Sequence, residues 1–161
     1  MKILFCYIVL ITSVSFISPA IAQKNNKSNK DSLIESKINN KDFVFVATWV
    51  TPLTGQMRQL TDYYDLRVHH DSLTAYLPFF GRAYAAPKDL SNASIDFTST
   101  KFTYTITKQK KGGWRIDIAP DTQDDIQSFS ITAFNDGVAY LNIISVNRDP
   151  ISYNGYIELP K

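Results

Sequence analysis

The sequence predicts a mainly β fold, an antiparallel barrel or sandwich of about nine short strands, with one short N-terminal helix and a lipocalin-like barrel as the favoured form. Two observations carry this expectation. From Phe43 onward apolar residues recur at every second position, the period of a strand with one buried face. Turn signals such as Pro52 to Gly55, Gly112-Gly113 and Asn135-Asp136-Gly137 interrupt that pattern at short intervals, with no βαβ alternation between them. Closure into a barrel removes exposed strand edges, which is why it is favoured over a two-sheet sandwich.

Lys2, the apolar run Ile3 to Ile17 and the small pair Ala20 and Ala22 have the three-part form of a secretory signal peptide, 1–22, with cleavage expected after Ala22. The run is shorter than the ~20 residues that span a bilayer, so the mature chain is expected to be periplasmic or secreted, with no integral membrane segment. Cys6 has no small residues before it and does not resemble a lipoprotein cysteine. Removing 22 of the 161 residues leaves 139, one domain's worth, and takes away the one cysteine. Stability must then come from a core rather than from disulfides. Of 17 bases and 15 acids only Lys2 is lost, so the mature net charge is +1, which argues against a nucleic-acid partner.

Residues 23–30, QKNNKSNK, contain no apolar side chain and read as a flexible spacer. The β-rich domain then covers 31–161. Ile34 and Ile38 share a helix face, and Asp31 or Ser32 is placed to cap that helix. In the first strand Phe43, Phe45, Ala47 and Trp49 alternate with Val44, Val46, Thr48 and Val50. Gln56 to Leu60 forms a short strand, and Tyr64, Leu66 and Val68 a clearer one. The sharpest alternation is Phe102, Tyr104 and Ile106 against Thr103, Thr105 and Thr107, followed by a glycine hairpin turn and by Trp114, Ile116 and Ile118. Phe129 to Ala133, Ala139 to Ile143 and Ile151 to Ile157 complete the set.

Leu77 to Pro87, LPFFGRAYAAP, departs from alternation: Leu77, Phe79, Phe80 and Tyr84 crowd both faces around Gly81 and Arg82. It reads as a strand ending in a bend covered by the rest of the sheet. Gly81 is expected to adopt a backbone angle closed to other residues, so that Gly81→Val destabilises by more than ~1 kcal/mol. Together with the signal peptide, the GGWRI strand and the closing SVNRDPISYNGYI, this run resembles the secreted Bacteroidetes family catalogued as domain of unknown function 4251, over roughly Phe43 to Leu159. The resemblance implies location and fold, and no catalytic residues.

The residues point to no catalytic group, metal ligand or cofactor. His69 and His70, as strand neighbours, are expected to face opposite ways and so not to share a metal ion. Serines occur without a nucleophile elbow, Asp121, Asp124 and Asp125 lack calcium-loop spacing, and Gly112-Gly113 has no following helix to cradle phosphate. Arg82 with Tyr84, and Arg148 with Tyr153, each set a guanidinium beside a phenol near a strand end. These four are the candidate ligand-binding residues, lining one barrel mouth for an anionic or carbohydrate-like ligand. The structural alternative pairs each arginine with an acid such as Asp149 or with loop carbonyls. The expected partner is therefore a small molecule carried in a barrel or, with a filled interior and an exposed apolar patch, an envelope protein.

Overall fold

The period-two segments become nine strands, each antiparallel to its neighbours. The computed structural model describes residues 20–84, 94–110, 112–121 and 125–158, with side chains from Lys30 onward. One helix, α1 (Ala20–Asn39), precedes β1 (Asp42–Pro52), β2 (Arg58–His69), β3 (Ser72–Pro78), β4 (Ser94–Ser99) and β5 (Phe102–Lys108). These are followed by β6 (Trp114–Pro120), β7 (Ile126–Ala133), β8 (Val138–Ser145) and β9 (Ile151–Ile157). All join one sheet in the order β4-β3-β2-β1-β9-β8-β7-β6-β5. The expected signal peptide (1–19 of it), part of the aromatic run (85–87) and Asp124 lie outside the described residues.

The ends of that order explain the closure. Strand direction alternates across the sheet, so the outermost strands, β4 and β5, run the same way. Only Thr100 and Lys101 separate them, which holds their ends within about 11 Å. Residues 94–108 are thus one kinked strand that pairs with β3 through its first half and with β6 through its second. At the kink the Ser99 hydroxyl donates to the Lys101 carbonyl at 2.9 Å, and the Asp121 N–H donates to that same carbonyl at 2.9 Å. The sheet curls into a nearly closed barrel.

The inner face carries Phe43, Phe45, Leu66, Leu73, Leu77, Ile116, Ile118, Phe129, Ile131 and Tyr153, each less than 2% accessible or at that limit. No gap that admits water borders such side chains, and the described lumen is filled by them. Trp49 departs from the expected alternation. The pairing of β1 with both neighbours shifts register between Ala47 and Trp49, a bulge that turns Val50 inward and Trp49 outward, 36% exposed. The two strands expected from Gln56 to Val68 are one, β2, whose own register jumps opposite that bulge.

Helix α1 stops one end of the barrel with Ile34 and Ile38, both fully buried, as their spacing predicts. The Tyr104 hydroxyl donates to the Ile38 carbonyl at 2.8 Å, satisfying an acceptor in the last turn of the helix. The helix begins earlier than expected, and the backbone of 23–30 is helical where a spacer is read from composition. Asp31 and Ser32 therefore lie inside the helix and cannot cap it. Asp31 accepts a bond from the Asn135 amide at 3.3 Å, tying α1 to the β7–β8 turn.

Where β9 meets β1, Gly155 sits opposite Ala47, and an added Cβ would lie 1.9 Å from the Val46 carbonyl oxygen. The two central strands approach too closely for any side chain there. Gly155→Ala is expected to cost about 3 kcal/mol, a fall in Tm on the order of 10 °C. Thermal denaturation followed by circular dichroism checks this, and an unchanged Tm refutes the close approach.

Candidate functional site at the barrel rim

β3 ends at Pro78, and Phe79 to Tyr84 leave the sheet to cross the open end of the barrel. An isolated bridge between Ala83 and Arg148 docks this segment on the β8–β9 connection. The Tyr84 N–H donates to the Asn147 carbonyl at 2.7 Å, and the Asp149 N–H donates to the Arg82 carbonyl at 3.0 Å. The Asp149 carboxylate, buried in the junction, accepts the Tyr84 hydroxyl on one oxygen and the Arg82 N–H, at 3.0 Å, on the other. The bond from Tyr84, with help from the Arg82 N–H, holds the Asp149 carboxyl below the usual carboxylate range and pushes the Tyr84 phenol up.

The four residues singled out by sequence take unequal places. Arg148 is largely buried. Its Nε lies 2.9 Å from Asp125 Oδ2, close enough for an ion pair though not aligned as a hydrogen bond. Its Nη1 donates to the Ser94 carbonyl at 3.3 Å, and its guanidinium lies 5.3 Å from the centre of the Phe79 ring. Arg148 therefore ties β4, the β6–β7 connection and the crossing segment together. Tyr153 is fully buried, and its hydroxyl donates to the Pro78 carbonyl at 2.8 Å, worth about 1 kcal/mol net. Burial also pushes its phenol up. Arg82 and Tyr84, by contrast, face solvent, Tyr84 with 69% of its surface exposed.

Arg58, which sequence reading passes over, belongs to the same rim. Its guanidinium stacks 4.8 Å from the Phe80 ring centre, although 22 positions separate the two residues in the chain. The rim thus presents two exposed guanidinium groups, Arg58 on the Phe80 ring and Arg82 two residues before Tyr84, over an ion-paired base.

Gly81 plays a different part from the one expected. Its backbone angle is not among the positive-φ residues, so no bend closed to other residues exists there. Space is the constraint: an added Cβ would meet Phe79 Cζ at 2.8 Å and Asp149 Cβ at 3.3 Å. The histidines also differ from expectation. His70 has left the strand with φ 52°, which brings the two rings edge-to-face at 4.5 Å rather than onto opposite faces. His69 Nδ1 lies 2.8 Å from Asp42 Oδ1. No cluster of three potential metal ligands occurs among the described residues.

This architecture defines a small antiparallel barrel-like domain, plugged by a helix at one end and tied across by a loop at the other. The chain belongs to the family described as domain of unknown function DUF4251, whose model matches residues 25–157. It is similar to the crystal structure of a DUF4251 family protein from Bacteroides eggerthii, with a TM-score of 0.57 and 17% identity over 84% of this chain and 91% of that one. At that identity the likeness supports the fold. Among curated proteins, none matches the sequence. No helix among the described residues is long and apolar enough to cross a membrane.

Two measurements test the rim. Gly81→Val is still expected to destabilise by more than ~1 kcal/mol, now because the Phe79 ring must move; Gly81→Ala, a smaller intrusion, should cost less. An equal effect of the two would favour a backbone origin. Since Asp149 has a depressed folded-state pKa, its contribution is present above the unfolded carboxylate value of about 3.9 and is lost as pH falls through the lower folded value. Asp149→Asn should therefore lower Tm at neutral pH, and the gap to wild type should shrink steadily below about pH 4. A gap that stays constant with pH would show that the charge of Asp149 contributes nothing.

Proposed function

We propose that the protein is exported to the periplasm or beyond, and that its domain binds a small anionic ligand at the rim rather than in the lumen. One observation carries this reading: Arg58 and Arg82 stand exposed beside Phe80 and Tyr84 on a segment whose backbone is fixed by Asn147, Arg148 and Asp149. A fixed backbone lowers the entropy cost of placing a guanidinium on an anion, and arginine offers paired donors to a carboxylate or phosphate. Arg148 and Tyr153 serve as positioning residues, because their polar atoms are already spent on Asp125, Ser94 and Pro78.

A second reading, a partner-binding envelope domain, is favoured by a separate observation. Trp49, Met57, Tyr140 and Tyr156 are exposed on the outside of a barrel whose described interior is packed.

The test is native mass spectrometry of the full chain recovered from its host's periplasm, where the mature mass should begin at Gln23. A small anion carried by wild type and lost in an Arg82→Ala variant that melts normally supports the rim. Loss of one charge-assisted contact should weaken binding about tenfold or more. A ligand retained by Arg82→Ala, or a clean mass together with no thermal shift from added phosphate, sulfate or dicarboxylates, overturns it in favour of the second reading.

A further inference from the structure

The bulge that turns Trp49 outward places it in line with two other side chains. Trp49 pairs in register with Asn154, and Asn154 with Tyr140, so the three project side by side from the outer face of β1, β9 and β8. Trp49 is 36% exposed and Tyr140 46%. Two interstrand spacings, about 9.6 Å, separate the strands that carry the rings. Phe134 meets the Tyr140 ring edge-on at 5.8 Å and steadies its orientation. Between the rings, the Asn154 amide has its nitrogen 4.0 Å from Met57 Sδ, a weak acceptor, and its oxygen accepts no hydrogen bond among the described residues. Beside the row, the Asn142 amide donates to Ser152 Oγ at 2.9 Å.

Charge keeps away from the row itself. Its outward neighbours are Gln59 on β2, Thr51 on β1, Ser152 on β9, Asn142 on β8 and Thr132 on β7, none ionisable near neutral pH, while Asp42 lies at the far end of β1, next to His69, and Asp65 is ion-paired with Arg67 on β2. An anionic polymer or a charged peptide finds no counter-charge at the row. A purely apolar protein surface fits poorly too, because it would bury the Asn154 amide without hydrogen bonds.

We propose that the Trp49–Asn154–Tyr140 row is a binding platform for a neutral, extended β-1,4-linked oligosaccharide. Such a chain presents C–H faces that stack on aromatic rings, and rims of hydroxyls that need donors and acceptors between those rings. The spacing of the strands that carry the two rings is close to the two-sugar repeat of an extended chain. Alternate sugars then lie over Trp49 and Tyr140, and the hydroxyls of the sugar between them meet Asn154. The proposal rests on the outer face alone and is independent of the anion reading at the rim.

Trp49 supplies the readout, since the other tryptophan, Trp114, is buried. The full mature chain is titrated with cellohexaose and chitohexaose, with maltohexaose as a curved α-linked control. The expected result is a saturable change in tryptophan emission with at least one β-1,4-linked hexamer and none with maltohexaose. Calorimetry should show that binding weakens at least tenfold in Trp49→Thr and in Tyr140→Thr, exposed β-compatible changes. If either variant fails to fold, Asn154→Ala provides the same comparison. An absent response, an equal response to the α-linked control, or unchanged affinity in the variants overturns the proposal. So does a concentration-dependent dimer, seen in sedimentation and abolished by Tyr140→Thr, in a protein that ignores the sugars; the occupant is then a second copy of the chain.

Discussion

Residues 94–108 cannot leave the sheet open. Because one continuous, kinked strand supplies both outer positions, the sheet must curl until its ends meet at Thr100 and Lys101. Loop closure over so short a link adds little entropy cost, whereas two free edges would each present a row of unpaired backbone groups. The curl also sets what can go inside. With about eight strands' width of wall, the interior is filled by side chains, here mostly Phe, Leu and Ile, with Tyr153 toward the rim and the helix stopping the other end. A shallow open groove remains at the kink, lined by Thr100, Phe102, Ala119 and Pro120.

With the described lumen filled, the two exterior features proposed as binding sites differ in chemistry. At the rim, buried polar atoms answer one another. Asp149 is satisfied by Tyr84 and the Arg82 backbone, Arg148 faces Asp125 and Ser94, and the outward guanidinium groups stand on that base. The Trp49–Asn154–Tyr140 row on the outer face of β1, β9 and β8 is uncharged and carries rings and an amide. Both owe their geometry to irregularities in otherwise regular strands: the chain departing from β3 at Pro78, and the bulge in β1.

Much of the fold was legible because burial and strand period reinforce each other in Phe43 to Ala47, Trp114 to Ile118 and Phe129 to Ala133, and each became a strand of the kind its pattern predicts. The positive φ angles of Gly112 and Gly113 likewise follow from the turn they occupy. The early start of the helix was not legible. A polar run such as 23–30 carries no apolar period to read. The rim was legible in part. Two arginine–tyrosine pairs near strand ends did converge there, but the split between exposed and buried members depends on Asp125, 23 residues before Arg148, and on Pro78, 75 before Tyr153. Arg58 gave no signal, since a cation on a ring is invisible until the two segments are neighbours.

By itself the sequence determined the fold class, the family and the inward face of most strands, because these depend on periodicity and on residue types acting locally. Tertiary structure decided the rest. Trp49 points out and Val50 in because the pairing of β1 slips by one residue, and with a side-chain period of two a single slip exchanges the faces. Gly81 and Gly155 are required by atoms from other strands, not by their own backbone angles. Those constraints arise only when distant segments come within contact distance, and no local pattern in the chain records them.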